Sequence, residues 1–239
     1  MTELANVGFD QLKTESLPGT VKLYHRHLFV CTGQSEWPAR IELDGGLAQK
    51  LWAATAPRAS EMPFKVKLTA CDDASAGPGH DVLVFPDQVR YLGVQESDLL
   101  ALIQDHLVSN RVSDRIPHEH LAGQHIFVCV HRSRDPRCGA CGPPLAELFI
   151  AELERRGLGG EVTVRRTSHV GGHRFAGNVL IYPGGDWYGY VTPADALRII
   201  DQHIVQGEIV TDLWRGRMGL LPEEQSQQAE RWHGRKPTV

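Results

Sequence analysis

Four side chains in the second half of the chain are of types that bind metals, and they occur as two short pairs. Cys129 and Cys138 bound the segment C-V-H-R-S-R-D-P-R-C, and His169 and His173 bound H-V-G-G-H. Two thiolates with two imidazoles suit either a Zn²⁺ ion or a [2Fe–2S] cluster. The residue types therefore predict a metal centre formed by Cys129, Cys138, His169 and His173.

The spacing within each pair indicates loops that could close around a metal. Residues four apart can share one face of a helix, but the two histidines are separated by Val170 and Gly171-Gly172. Each glycine disfavours a helix interior by roughly 1 kcal/mol relative to alanine, so the histidine pair is predicted to lie in a loop. Cys129 ends an apolar run, and the eight residues before Cys138 are enough for a loop to fold back over a metal.

A second cysteine pair offers a competing interpretation. Cys138-Gly139-Ala140-Cys141 is a C-x-x-C segment before a predicted helix, which alone could be a redox dithiol or half of a zinc site. This interpretation leaves H-V-G-G-H unexplained. A finger-type zinc site would also have a shorter gap to its histidines than the 27 residues that follow Cys141.

The first half of the chain repeats the layout of the second. The segment 27–31, H-L-F-V-C, aligns with 125–129, H-I-F-V-C, at an offset of 98 residues. The segment 82–86, V-L-V-F-P, aligns with 179–183, V-L-I-Y-P, at an offset of 97. A period near 100 is too long for a solenoid and fits two copies of one compact domain.

The hydrophobic patterns predict the same order of elements in each half, β-α-β-β-β-α, which is the outline of a thioredoxin-like domain. The helix after Cys138 is expected to begin at the proline pair 143–144 and to end at Gly157. The fold class is therefore predicted to be α/β, with two tandem thioredoxin-like domains. The predicted strands lie near 27–32, 64–69, 81–86, 89–94, 125–130, 161–166, 179–182 and 187–191, and the helices lie near 45–56, 96–108, 143–156 and from 193 onward.

The motifs of the second half resemble those of a known family. The strand-Cys-x8-Cys-Gly loop, followed by S-H-V-G-G-H-R-F-A-G-N-V-L-I-Y-P and W-Y-G-Y-V-T-P, is similar to the sucrase/ferredoxin-like family. The resemblance covers most of residues 120–220, including L-W-R-G. Members of that family are thioredoxin-like ferredoxins whose [2Fe–2S] cluster has two Cys and two His ligands. The resemblance implies that Cys129 and Cys138 hold one iron, and that His169 and His173 hold the other.

The first half resembles the same fold with most ligands lost. The segment that begins at Cys71, C-D-D-A-S-A-G-P, is similar to the Cys-x3-Cys region of all-cysteine thioredoxin-like ferredoxins. Cys31, Arg40, Cys71 and Ser75 stand at the positions that correspond to the four ligands of the second half. Since only two sulfur atoms remain, the first domain is predicted to be degenerate and without a cluster. Cys31 and Cys71 are expected to be small buried hydrophobes.

Three segments are predicted from these patterns. Residues 1–112 form the degenerate thioredoxin-like domain, 120–221 form the thioredoxin-like [2Fe–2S] domain, and 222–239 form a polar C-terminal tail that is expected to be loose. The polar stretch 110–124 is the expected linker.

Composition excludes several classes of protein. The formal net charge over 239 residues is −4, so the sequence does not predict the positively charged surface that nucleic-acid binding requires. The chain contains no run of 18 apolar residues, so no membrane-spanning helix is predicted. The N-terminus lacks the basic and apolar regions of a signal peptide. Five cysteines suggest reduced thiols and metal or redox chemistry, which predicts a cytoplasmic location.

The expected function is that of a one-electron carrier with a [2Fe–2S] cluster, whose imidazoles could couple reduction to proton uptake and which would dock with an unidentified redox partner protein. A carrier is favoured over an enzyme because the chain has no evident Ser-His-Asp order, phosphate-binding glycine loop or nicotinamide fingerprint. The alternatives are a thiol–disulfide oxidoreductase that uses Cys138 and Cys141, and a zinc-stabilised interaction module.

Overall fold

The computed structural model describes residues 15–75 and 77–233. Its strands are β1 (Arg26–Cys31), β2 (Val66–Cys71), β3 (His80–Phe85), β4 (Val89–Val94), β5 (His118–His120), β6 (Gln124–Cys129), β7 (Val162–Thr167), β8 (Val179–Tyr182), β9 (Asp186–Tyr188) and β10 (Trp214–Arg217). The predicted α/β class is confirmed, and each predicted strand is present with its ends displaced by a few residues at most.

The helices follow the predicted order. They are α1 (Leu47–Thr55), α2 (Leu99–Leu102), α3 (Pro136–Arg155), α4 (Pro193–Ile199) and α5 (Pro222–His233). Both α2 and α4 continue as single π-helical segments, Ile103–Val108 and Ile200–Val205. Thr192 caps α4 by accepting a hydrogen bond from the Asp195 amide, as its place before Pro193 predicts.

The strands form one sheet in the order β10-β9-β8-β6-β7-β2-β1-β3-β4-β5. In the first half, β1 lies parallel to β2 and antiparallel to β3, and β3 is antiparallel to β4. In the second half, β6, β7, β8 and β9 pair in the same way. The sequence repeat therefore corresponds to a repeat of strand topology, and the halves join where Cys71 of β2 pairs with Thr167 of β7.

Alternate side chains of β1 pack into two separate cores. Leu28 and Val30 pack with the residues of α1 and α2, whereas Phe29 packs against the second half of the chain. Phe29 stacks on Phe127 of β6 with ring centroids 3.8 Å apart, and both rings are fully buried. Because both faces of β1 and β6 are buried, their sequences are continuous apolar runs rather than alternating ones.

The helix after Cys129 begins seven residues earlier than expected, at Pro136 instead of Pro143. Asp135 caps it by accepting a hydrogen bond from the Arg137 amide, and Pro136 fits the first turn. Pro143 lies inside the helix and cannot donate to the carbonyl of Gly139, but the Arg132 guanidinium donates to that carbonyl at 2.8 Å. The prediction that Cys138 lies in a loop is therefore wrong, since Cys138 lies in the first turn of α3.

Two segments outside the predicted domain cores also have regular structure. The expected linker contains β5, which pairs with β4. The expected loose tail forms helix α5 over Pro222–His233, where the buried Gln225 side chain donates to the carbonyls of Val21 and Leu220. The remainder of the predicted tail, 234–239, and the start of the first predicted domain, 1–14, lie outside the described residues. The predicted domain boundaries stay a prediction.

No helix within the described ranges is both long enough and apolar enough to cross a membrane.

Candidate metal centre

Cys129 and Cys138 meet where strand β6 runs into helix α3. Cys129 is the last residue of β6 and is 1% exposed, and Cys138 lies three residues into α3 and is fully buried. Gly142 allows the close approach of the two elements, because a Cβ at this position would overlap the carbonyl of Cys129. Because Cys138 is the third residue of α3, its buried thiol lies at a helix N-terminus, where the helix dipole favours negative charge.

The Cys129 sulfur is surrounded by hydrogen-bond donors. Its pKa lies well below the usual thiol value, chiefly because the Cys138 thiol donates toward it; burial opposes this shift, and the His169 ring and the amide of Val170 reinforce it. The pKa of Cys138 is raised by the same hydrogen bond and by burial. Cys129 is thus the more acidic thiol of the pair, and the Cys138 thiol and the His169 ring are its side-chain hydrogen-bond partners.

His169 is held in position through its backbone. Its amide donates to Nδ1 of His131 at 3.0 Å, and the Nε2 atom of His131 lies 3.0 Å from the carbonyls of both Trp37 and Pro38. Since Nδ1 accepts a hydrogen bond, the proton of the neutral ring must lie on Nε2, which donates to the two carbonyls. His131 is 1% exposed and ties the first half of the chain to the histidine loop.

His173 lies on the outer side of His169. The two imidazole centroids are 5.6 Å apart with an angle of 37° between the ring planes. The His173 side chain is 47% exposed, and its Nε2 atom lies 3.9 Å from an Asp135 carboxylate oxygen. His169 and the two glycines belong to a loop, as predicted, and Gly171 and Gly172 have φ angles of 101° and 71°. His173 itself begins a single 3-10 helical turn, His173–Phe175, which was not predicted.

The C-x-x-C pair lacks the properties of a reactive dithiol. Cys138 and Cys141 are both fully buried on consecutive turns of α3. Burial raises the pKa of Cys141 to about 11, and the pKa of Cys138 is raised as well. A redox-active pair requires an accessible thiol with a lowered pKa, so the environment of this pair disfavours thiol–disulfide exchange.

The degenerate half keeps two of its sulfur atoms in contact. Cys31 and Cys71 are register partners at the ends of β1 and β2, and their sulfurs lie 3.7 Å apart. Both side chains are fully buried, and burial is the main cause that raises the pKa of Cys71. Their burial agrees with the expectation of small core residues, although the sequence did not indicate that the two thiols would touch.

Two cations beside the histidine loop were not expected from the sequence. Arg215 of β10 is 1% exposed, and a Cβ on Gly172 would overlap its guanidinium. The Lys67 ammonium lies 5.4 Å from the centre of the Trp187 ring. Burial, followed by repulsion from Arg174, lowers the pKa of Arg215 to about 9. Burial, followed by repulsion from Arg215, lowers the pKa of Lys67 to about 8. The L-W-R-G stretch marked the segment of Arg215 but gave no sign of where its side chain lies.

This donor set defines the class of site as a sulfur- and imidazole-rich centre in an α/β fold. The sequence model of the sucrase/ferredoxin-like family matches residues 17–216, and the chain therefore belongs to that family. The match spans both halves, whereas the motifs by themselves pointed mainly to residues 120–220. Together with the β-α-β-β-β-α order of each half, it bears out the predicted thioredoxin-like fold.

The curated relatives are fungal proteins with names that describe cellular effects. "Altered inheritance of mitochondria protein 32" of Debaryomyces hansenii is 41% identical over 98 residues, which cover 39% of this chain and 35% of the relative. "Actin patches distal protein 1" of Saccharomyces cerevisiae is 30% identical over 159 residues, which cover 57% of this chain and 50% of the relative. The matches thus span between a third and about half of these two relatives.

Among solved structures, the chain is similar to a thioredoxin-like [2Fe–2S] ferredoxin from Aquifex aeolicus. One crystal structure of that protein is 27% identical and covers 40% of this chain and 99% of the ferredoxin, with a TM-score of 0.37. A second structure is 24% identical and covers 49% of this chain, also with a TM-score of 0.37.

The prediction of a one-electron carrier is wrong. The curated relatives are named for mitochondrial inheritance and actin patches, and no three Cys, His, Asp or Glu side chains in residues 15–75 and 77–233 are placed to hold a metal ion. The same placement argues against the zinc-stabilised module, because a structural zinc ion needs four ligands around one point. The buried, high-pKa dithiol argues against the oxidoreductase. The cytoplasmic location stays a prediction.

Proposed function

We propose that this chain is a cluster-binding protein that holds a [2Fe–2S] group through Cys129, Cys138, His169 and His173. The observation that carries the proposal is the environment of Cys129, a buried sulfur to which both the Cys138 thiol and the His169 ring are hydrogen-bonded. The function proposed is binding of the cluster, without electron delivery to a redox partner.

The layout of the four side chains suits two metal atoms better than one. Each iron of such a cluster takes two protein ligands, so three side chains need not converge on a single point. Cys129 and Cys138 form one adjacent pair, and the rings of His169 and His173 form the other, with centroids 5.6 Å apart. When bound, the cluster would supply a reducible centre that replaces the hydrogen bonds now made within the two pairs.

The surroundings would hold these ligands in place. The amide of Val170 donates to the Cys129 sulfur, which stabilises the deprotonated form that a metal requires. The His169 backbone is held by His131, which in turn donates to the first half of the chain. Half-buried His169 and exposed His173 would leave the imidazole side of the site open to solvent.

Anaerobic purification followed by iron and sulfide analysis tests the proposal. We expect about two iron and two sulfide per chain, together with visible absorption. Cys129→Ser and His169→Ala should lose most of both, because each removes a ligand.

Cys141→Ser is the matched control for the cysteine change, since it alters a thiol of equal burial three residues from Cys138. It should retain the iron content of the parent protein. A colourless parent protein without sulfide, or equal iron loss in the Cys129→Ser and Cys141→Ser proteins, would reject the proposal.

A further inference from the structure

A cavity of about 360 Å³ lies against the histidine loop on the side of Lys67 and Arg215. Its size is within the range of small-molecule binding sites. Lys22, Lys67 and Arg215 line it together with His169 and His173, and none of the residues that line it is an aspartate or a glutamate. The cavity therefore presents positive charge without a lining carboxylate.

Arg215 is unusual among the buried arginines of this protein. Arg26 pairs with Asp87 and Arg165 pairs with Asp73, in each case through a contact within hydrogen-bonding distance. Arg215 is 1% exposed, yet the structure gives it no carboxylate partner among residues 15–75 and 77–233. The Cys129 sulfur attracts Arg215 electrostatically, but it is already engaged by the Cys138 thiol and the His169 ring. A buried cation without a carboxylate partner is costly, which makes this site a candidate for an anion.

The hydrogen bonds of Arg215 leave part of its guanidinium available. It donates to Oδ1 of Asn178 at 2.5 Å, to Oγ1 of Thr20 at 3.0 Å and to the carbonyl of Thr20 at 3.3 Å. These acceptors are neutral, and they use three of the five N–H groups of a guanidinium. The rings of Phe175 and Trp187 lie against it, 4.6 and 5.4 Å from the guanidinium carbon, and fix its position.

Lys67 supplies a second positive charge. Its ammonium lies 5.9 Å from the Tyr24 ring and 5.4 Å from the Trp187 ring, and the structure records no ion pair for it in the part of the chain that it describes. The proposed cluster does not offset these charges, because the positive core of an oxidised [2Fe–2S] group is cancelled by its two cysteine thiolates. With the cluster bound, two cations thus remain to be neutralised. Without it, the Cys129 sulfur attracts both Lys67 and Arg215, and one negative charge does not balance two cations.

We propose that this cavity binds a small oxyanion of about two negative charges, a phosphate or a dicarboxylate, through the Lys67 ammonium and the two remaining N–H groups of Arg215. The exposed Lys22 also lines the cavity and would attract the anion electrostatically. The bound anion would lie beside His169 and His173. The inference rests on the cations and does not require the cluster.

Isothermal titration calorimetry of the full chain with inorganic phosphate, and separately with malonate, tests the site. A background of about 0.1 M sodium chloride screens weak surface attraction. We expect saturable binding of at least one anion in the millimolar range or tighter, and an affinity at least about tenfold lower for Lys67→Met. Lys67→Arg, which retains the charge, should bind within a few-fold of the parent protein.

Lys50→Met is the matched control, because Lys50 is a surface lysine that pairs with Glu96 at 2.6 Å in the first half of the chain. It should bind as the parent protein does. Absence of binding of both anions at about 10 mM, or equal affinities for the Lys67→Met and parent proteins, would overturn the inference.

Iron analysis of the same samples separates this inference from the proposed function. A protein that lacks iron but binds phosphate through Lys67 supports the anion site and rejects the cluster. A protein that contains iron and sulfide but binds neither anion rejects the anion site and leaves the cluster supported.

Discussion

The most informative perturbation is the replacement of His131, because one buried ring connects the first half of the chain to the histidine loop. Its Nδ1 atom accepts from the His169 amide at 3.0 Å, and its Nε2 atom donates to the carbonyls of Trp37 and Pro38. His131→Ala would leave the His169 amide without its acceptor, which costs about 1–3 kcal/mol when the group stays buried. Loss of the Nε2 bond adds about 1 kcal/mol. We expect the free energy of unfolding to fall by about 2–4 kcal/mol in total.

Urea denaturation measures this loss, and amide hydrogen exchange locates it. Exchange at His169 should accelerate in the His131→Ala protein, because its backbone hydrogen bond is gone. His131→Asn provides a graded comparison, since its amide oxygen can take the place of Nδ1 while nothing replaces Nε2. It should recover roughly half of the lost stability and slow the exchange again.

His120→Ala is the control, because His120 is an exposed histidine of β5. Its free energy of unfolding should stay within about 0.5 kcal/mol of the parent value. The reasoning is refuted if His131→Ala unfolds at the same urea concentration as His120→Ala, or if the two proteins exchange the His169 amide at the same rate.

Three further predictions concern other parts of the molecule. Phe127→Ala removes a fully buried ring that stacks on Phe29 of the first half with centroids 3.8 Å apart, so the free energy of unfolding, measured in urea, should fall by about 3–5 kcal/mol. Leu100→Ala is its control: this side chain is 63% exposed, and its removal should change the free energy of unfolding by close to zero. Burial alone would raise the pKa of Asp87, but hydrogen bonds from Arg26 hold it well below the usual value. The ionised carboxylate therefore stabilises the fold above about pH 4, and this stabilisation is lost as the pH falls. The difference in free energy of unfolding between the parent protein and Asp87→Asn should accordingly shrink when urea denaturation is repeated toward about pH 2. If the proposed cluster is bound, His169→Cys should retain it and lower its midpoint potential, by on the order of 100 mV, in a spectroscopic titration; an unchanged potential would argue against an imidazole ligand.

The positions of the strands along the chain could be predicted because they depend on local pattern. The strands β1 and β6 are short apolar runs of nearly identical sequence, and the 98-residue offset between them placed the two halves in correspondence. Helix ends were less predictable, as α3 shows. Two prolines inside it marked a helix start in the sequence, yet Arg132 supplies the hydrogen bond that Pro143 lacks and the helix begins at Pro136.

The ligand candidates could be named from the sequence, but their relations could not. Cys129 and His169 are 40 residues apart, and their contact depends on the parallel pairing of β6 with β7, which carries the loop that follows β7 to the end of β6. The contact between Cys31 and Cys71 arises from the equivalent pairing of β1 with β2. Long-range pairing of this kind leaves no trace in the spacing of residues along the chain.

The sequence by itself determined the α/β class, the repeat, the family and the four candidate ligands, because these follow from composition, periodicity and short motifs. Only the tertiary structure decided the electrostatic setting of the site. Arg215 is 42 residues beyond His173, and Lys67 belongs to the other half of the chain, yet both cations line one cavity with the histidine loop. Electrostatic interaction depends on distance in space and not on separation along the chain, so the charge around the histidines could be assigned only once the pairing of the strands was known.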